Sequence, residues 1–592
     1  MIFLKSGILT SIQDIGRCGF KDKGINPSGA MDTLSMRLLN TLLGNEDAEA
    51  VLEFHYPTPT ITFEEHALFA IGGANFSGSL NNKSIVYCIE GSPESFNPQI
   101  ITSGTTVDAT ANHLYNRLIT FESKDNSITP SIAKSWHVTR DGMMITFYLR
   151  KNITFHSTSY FTPTRALNAD DVLFSFNRIL DKDNEFHPIS GGNYPFFQSV
   201  RLSALVEDIE KINDYTVRFK LKRPDSSFLA NLATDFSVIL SQEYANELAK
   251  NNAHQQIDIF PVGTGPFKLK EYKAGSLIRY YRHEDYWQGK VALEQLVFDI
   301  TPSNTSRLTK VLTNECDVAS YPIAHEKIKE NANLTLEAVT SFNVAYLGFN
   351  TQKPPFDNKK VRQAVAYAIN KKVIIETIYS GRAEIAKSLL QSSSWAYDEK
   401  VEDQVYSISK AKELLKEAGF EKGFDMDIWA MNIQRPYNPS ALTMAKLIQA
   451  DLKEINIKVN IVSYEWATFL QRIKQGEHQS VLLGWTADHP DPDNFFTSLL
   501  SCASVGSGSN STMWCNDEFD KLLQMSVKTT NIKRRKAYYS KAQSLISQEI
   551  PLLPLAHSKR YQTRSNNVKG SIMPSFGGIN FSTVYKSAES VK

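Results

Sequence analysis

Between Trp429 and Cys515 the chain carries an arginine, Arg435 in QRPYNP, and an aspartate, Asp488 in GWTADHPDP, whose chemistries complement the opposite poles of a zwitterion. A guanidinium presents a planar fork of N–H donors that matches a carboxylate, and an aspartate carboxylate accepts from an ammonium. Two such charges at a fixed separation would grip both ends of a short free peptide. Spacing alone favours the plainer reading, in which Arg435 is an ordinary surface residue and Asp488 a loop cap.

Other chemistries find little support. The sequence holds no HExxH, P-loop or GxSxG signature, and PVGTGPF at 261–267 reads as a turn rather than a phosphate cradle. None of the 12 histidines forms an i, i+4 pair around a carboxylate, so each reads as a surface or singly satisfied side chain. Asp488, Asp491 and Asp493 cluster, but two prolines interrupt them and no calcium loop closed by a terminal glutamate follows. Asp493 reads instead as the N-cap of NFFTSLL. Neither a metal nor a cofactor is expected, and the chain reads as a binder rather than an enzyme.

Composition sets the frame that must hold these residues. With 592 residues, 42% hydrophobic and 21% charged, the chain is long enough for several core-sized units. Lys+Arg 64 against Asp+Glu 63 leaves a net charge of +1 and no long basic run, which argues against nucleic acid as a partner. The opening MIFLKSGILTSIQDIGR has only a four-residue apolar run before Lys5, so it lacks a secretory h-region, and this end by itself points to the cytosol. Cysteines point the other way. Cys502 and Cys515 flank a Gly/Ser-rich loop that a disulfide would tie down, and Cys88 with Cys316 would close a much longer one, both in an oxidising compartment. Five buried reduced thiols, Cys18 among them, is the equal alternative from spacing alone.

A seam is expected near Asn82. Before it, TLSMRLLNTLL reads as a helix capped by Asp32 and stopped at Gly44, followed by the alternating strand TPTITFEE. After it, SIVYCIE, MITFYLR, YTVRFKLK, IRYYRH, LVFDIT and NVAYLGFN alternate as strands. Helical periodicity marks DDVLFSFNRIL, NKKVRQAVAYAINKKVIIETIY, SISKAKELLKEAGF, ALTMAKLIQADLKEI, TFLQRIKQ and KRRKAYYSKAQSLISQE. Stops fall at Gly381, Gly419 and Pro551, and no repeat of solenoid or propeller period is visible. The fold class is α/β.

Residues 84–592 resemble the periplasmic dipeptide-binding proteins of bacterial ABC importers, solute-binding family 5. The blocks that carry it are YCIEGSPESFNPQ, TSGTT with YNRL, LNADDVLFSF, PVGTGPF, VRQAVAYAIN, LKEAGFEKGF, QRPYNP, YEWATFL, GWTADHPDPDNFF and WCNDEF, in family order. The resemblance implies a type II two-lobed binding-protein fold with an extra subdomain in lobe I: lobe I at 84–342 with a return at 559–592, and lobe II at 343–558. It implies the pairings Cys88–Cys316 and Cys502–Cys515. It implies a dipeptide ligand, with Asp488 holding the α-ammonium and Arg435 the α-carboxylate. Thr102, Ser103 and Gly104 of TSGTT, Tyr437, Trp466 and the backbone at Gly484 and Trp485 are the further cleft candidates, with core aromatics as the alternative for Tyr437 and Trp466. The expected partners are membrane permease subunits with separate ATPase subunits, the expected state a monomer and the expected location the periplasm. Related haem carriers and cationic or antimicrobial-peptide carriers share the frame. Two positions depart from the family's dipeptide members: Ala487 stands where glycine is frequent, and His489 follows Asp488, which would narrow the pocket or alter the acidity of Asp488.

Residues 1–82 resemble the start of one of the 5-oxoprolinase proteins, in the biotin-dependent carboxyltransferase-like and allophanate-hydrolase-like group, through TSIQDIGRCGFKDKGINPSGAMD, RLLNTLLGN and AVLEF. A partial β-rich or α+β segment is implied, read as a gene-fusion remnant or misjoined frame. An oxoprolinase component is the alternative function it raises.

Overall fold

The computed structural model describes residues 83–122, 126–507 and 509–587, together with 2–5, 11–13, 40, 51–53 and 60–62 nearer the start. The chain divides into two compact units, Met1–Leu80 and Asn81–Lys592. In the first, Ile2–Lys5 pairs antiparallel with Thr60–Thr62, and Ser11–Gln13 with Val51–Glu53. The expected helix TLSMRLLNTLL with its Asp32 cap and Gly44 stop lies outside the described residues apart from helical Asn40, and Cys18 lies outside them too.

The second unit is built around two large sheets. One holds seven strands in the order Phe267–Lys273, Leu277–Arg282, Gln295–Ile300, Ser84–Ile89, Val318–Ser320, Lys559–Ser565, Leu334–Thr340. The other holds six: Glu384–Ile385, Leu552–His557, Asn343–Phe349, Ser480–Thr486, Asp425–Ala430, Lys458–Val462. The central strands Asn343–Phe349 and Leu552–His557 are buried at every position, as runs covered on both faces must be. A separate four-stranded sheet, Val206–Asn213, Thr216–Leu221, Met144–Leu149 and Ala133–Val138, belongs to the seven-stranded side. Its strand Thr216–Leu221 alternates between buried and half-buried positions, the pattern of a sheet with one face on the core. Each side has its own apolar core.

The chain passes between the two large sheets twice, at residues 341–342 and at Ser558. These crossings are tied together, since Ser558 N donates to Asn343 Oδ1 at 3.0 Å and Phe342 N to Ser575 O at 3.0 Å. Away from the crossings the lobes touch through further hydrogen bonds. Asn304 Nδ2 donates to Gln434 Oε1 at 2.7 Å, Ser226 N donates to Val527 O at 2.8 Å, and Arg382 reaches across to Glu326 and His325.

Local chemistry accounts for the details and corrects three expectations. The stretch read as one helix from Asn358 to Tyr379 is two, Lys359–Ala368 and Lys371–Tyr379, because Ile369 is extended and the Asn370 side chain caps the second by accepting from Val373 N. PVGTGPF is no simple turn. Gly265 N donates to Leu114 O, and a Cβ at Gly263 or Gly265 would collide with the backbone of Leu114, so glycine there admits close packing against a helix end. The helix Asp493–Leu500 starts after Pro492, with Asp493 as its first residue rather than its cap. Cys88 and Cys316 are bonded with Cα atoms 5.9 Å apart, as are Cys502 and Cys515 at 4.4 Å. Among the described residues no helix is long and apolar enough to cross a membrane.

Candidate functional site

The two candidate charges are placed around the strand Ser480–Thr486. At its end Asp488 is held by Asn494, whose Nδ2 donates to Asp488 Oδ2 at 3.0 Å while its Oδ1 accepts from Asp488 N at 3.1 Å and from Trp485 Nε1 at 2.9 Å. Arg535 holds the following loop by a bidentate pair with Asp491, both contacts 2.8 Å and both side chains largely buried. Asp493 accepts from the Thr497 hydroxyl at 2.7 Å. The three aspartates that cluster in sequence therefore turn to three different partners.

Arg435 sits in a tight loop closed by reciprocal backbone bonds with Asn438, of 3.1 and 3.0 Å. Its guanidinium lies 4.7 Å from the centre of the Trp466 ring, which stacks on Phe469. Tyr437 packs its ring directly against Gly484, where a Cβ would collide both with that ring and with Val344 O, so glycine is required for the loop to seat on the strand. Tyr379 Oη donates to Tyr437 O at 2.7 Å and the Ser558 hydroxyl to Pro436 O at 2.6 Å, which ties the same loop to a helix end and to the crossing segment. Tyr437, Gly484, Trp485 and Trp466 thus form a supporting layer that connects Arg435 to Asp488.

Both charges open between the lobes, but into two chambers. Arg435 lines one of about 500 Å³, together with Tyr87, Asp108, Tyr321, Arg560 and Met573 from the seven-stranded side and Tyr379 and Arg382 from the other. Asp488 lines one of about 150 Å³, facing Arg117, Asp235 and Gly577. The segment 571–579 contributes to both walls, with Met573 and Ile579 on the larger chamber and Ile572, Gly577 and Gly578 on the smaller. Thr102 and Gly104 are exposed, and TSGTT borders neither chamber: Ser103 donates to the Thr106 hydroxyl, which accepts from Glu94 N, at the start of the helix Gly104–Leu114. Tyr437, Trp466, Gly484 and Trp485 are likewise not among the residues that line these two chambers.

The electrostatics of the smaller chamber are unusual. Burial pushes the Asp488 carboxyl up to about 7, against the Asn494 hydrogen bond that lowers it and with the nearby Asp235 adding to the rise. Asp235 itself is compensated, by an ion pair with Arg117 and by Gly578 N at 2.6 Å. Among the described residues no basic side chain forms an ion pair with Asp488. His489 does not supply one, and it leaves the acidity of Asp488 to burial, contrary to the expectation from its position in the chain. It is buried, its Nδ1 accepts from Asp491 N at 3.3 Å, its Nε2 faces Asn231 Oδ1 of the other lobe at 3.0 Å, and burial pulls it down to about 4, so it is a neutral interlobe donor. Asn494, Asp235 and Arg535 were not picked out from sequence, although Asn494 stands within GWTADHPDPDNFF.

A two-lobed binding protein with a ligand space between its lobes is the class that this fold and site define. The chain belongs to the bacterial extracellular solute-binding proteins, family 5, whose model matches residues 127–507. It is 44% identical over 510 residues to the dipeptide-binding protein of Escherichia coli strain K12, covering 86% of this chain and 95% of that one. It is 41% identical over 501 residues to haem-binding protein A of Haemophilus influenzae, covering 84% and 91%. The crystal structure of a dipeptide-binding protein from Pseudoalteromonas sp. SM9913 in complex with Met-Leu superposes with a TM-score of 0.82 at 48% identity, over 85% of this chain and all of that one. A carboxyltransferase domain model, subdomains A and B, matches residues 23–90.

Proposed function

We propose that residues 84–592 capture dipeptides for an ABC importer, with lobe I at 84–342 and 559–592 and lobe II at 343–558. In this reading Asp488 receives the peptide ammonium in the smaller chamber, and Arg435 receives the carboxylate in the larger one. The observation that carries it is Asp488, a partly buried carboxylate with an amide as its partner and, among the described residues, no cation paired with it. Such a group destabilises the empty site, and an arriving ammonium relieves that cost. A dipeptide reaches about 7 Å when extended, and in this reading the two charges, placed around the Ser480–Thr486 strand, select for ligand length. Lobe closure over the ligand is a hinge-type population shift about the two crossings.

The similarity to proteins named for dipeptide binding supports this ligand, and the haem-binding relative is the basis of the second reading. Two disulfides fit an oxidising compartment, which supports a periplasmic site of action. The same reading has a permease and separate ATPase subunits downstream and the protein acting as a monomer. In this reading the chain acts as a binder, and the carboxyltransferase-like residues 1–82 are a gene-fusion remnant or a misjoined frame.

Calorimetric titration of the full chain with Ala-Ala, N-acetyl-Ala-Ala, Ala-Ala-amide and Ala-Ala-Ala tests the assignment. Tight binding of Ala-Ala alone is expected. Equal affinity for the blocked peptides would overturn the two-charge grip, and a haem Soret shift that Ala-Ala does not reverse would favour the haem reading.

A further inference from the structure

We infer that the larger chamber favours an acidic side chain at the ligand's C-terminal residue. This rests on the placement of the carboxylate at Arg435. The C-terminal Cα is one bond from that carboxylate, so its side chain falls in the same chamber.

That chamber is lined by five basic side chains, Arg382, Arg435, Arg560, Lys327 and Lys559, against two acids, Asp108 and Glu326. Arg382 and Glu326 neutralise each other. Among the described residues no carboxylate lies within ion-pair distance of Arg435, Arg560, Lys327 or Lys559. Arg560 is half-buried and, among the described residues, donates to main-chain oxygens, Pro574 O at 3.2 Å and Gly577 O at 2.8 Å, so its orientation is fixed while the one lining carboxylate that acts on its charge, Asp108, makes no ion-pair contact with it. Asp108 is 7% exposed and takes Ile579 N at 2.9 Å on one oxygen. Burial pushes it up to about 7, so near neutral pH it offsets only part of the positive charge. A peptide carboxylate at Arg435 cancels one cation, and the half-buried Arg560 remains as the strongest attraction for a second anion. Lys327 and Lys559 are exposed at the rim and are screened by salt.

The test compares Ala-Glu with its neutral isostere Ala-Gln and with Ala-Lys by calorimetry at pH 7.5, on the wild type and on Arg560→Met and Lys559→Met. At an effective dielectric of about 20, a charge pair some 7 Å apart corresponds to a preference of roughly ten- to fiftyfold for Ala-Glu over Ala-Gln. Arg560→Met is expected to bring that ratio close to one, Lys559→Met to reduce it by about twofold at low salt, and Ala-Lys to bind most weakly. Arg560→Lys restores most of the preference if charge is the cause, whatever Arg560→Met does to folding. Equal affinities for Ala-Glu and Ala-Gln in the wild type overturn the inference while leaving dipeptide capture intact. Absence of binding by all three peptides instead removes the capture reading on which it rests.

Discussion

Replacing Asp488 by asparagine gives the sharpest test of the site, because the substitution keeps the shape and removes the charge. In the ligand-free protein Asp488 is pushed up to about 7 by burial, and a bound ammonium would return it to the ordinary carboxylate range near 4. A difference of about three pKa units corresponds to about 4 kcal/mol of coupling between the carboxylate and the ammonium, a ceiling because Asp488 is only partly buried. Dipeptide affinity in Asp488→Asn should therefore fall by about a hundred- to a thousandfold at pH 7.5. The sign with pH follows from the same shift. Below about 7 the wild-type carboxyl carries a proton that the ammonium must displace, so affinity should decline toward tenfold per pH unit as pH drops from 7 to 5, with proton uptake by the buffer. Above about 8 the peptide amine loses its own proton and affinity falls again. Asp488→Asn should show no acid-side decline of this size. Calorimetry of Ala-Ala between pH 5 and 8, in buffers of different ionisation enthalpy, reads both quantities. A wild-type affinity that is flat between pH 5 and 7, or a variant that keeps the wild-type slope, would refute the assignment of the ammonium to this carboxylate.

The same group should cost stability when no ligand is bound. Its folded pKa lies above its unfolded value, so the folded state holds the extra proton between about 4 and 7 and loses stability as pH rises through that window. Urea unfolding should find the stability gain of ligand-free Asp488→Asn over wild type larger at pH 8 than at pH 5 by about 1–3 kcal/mol, and a pH-independent difference would count against an ionised buried carboxylate. Asn494→Ala removes the amide that lowers the Asp488 pKa and orients it toward the chamber. Affinity for Ala-Ala should drop about tenfold and the midpoint of its acid-side decline should move to higher pH, a shift that loss of packing alone would not produce.

Much of the architecture could be read from local pattern. Alternation in YTVRFKLK and LVFDIT became paired strands, and Gly381, Gly419 and Pro551 follow helix ends as expected. Local pattern misread the 358–379 stretch, where apolar spacing runs on through Ile369 although the Asn370 side chain offers a new cap. It also misread PVGTGPF, since glycine marks a turn and a close approach equally well and only the partner at Leu114 distinguishes them.

Sequence alone determined the types of charge available, the alternation that builds the sheets and the glycine at 484, because these follow from side-chain chemistry and near neighbours. Tertiary structure decided the rest. Asn494 becomes the holder of Asp488, and Asp235 its neighbour, only after the chain has folded and the lobes have met. His489 becomes neutral only through burial against Asn231 of the other lobe. The division of the ligand space by segment 571–579 joins residues far apart in the chain. The energy of a charge depends on how much water surrounds it and which charges stand near, and both are properties of the folded arrangement rather than of any residue.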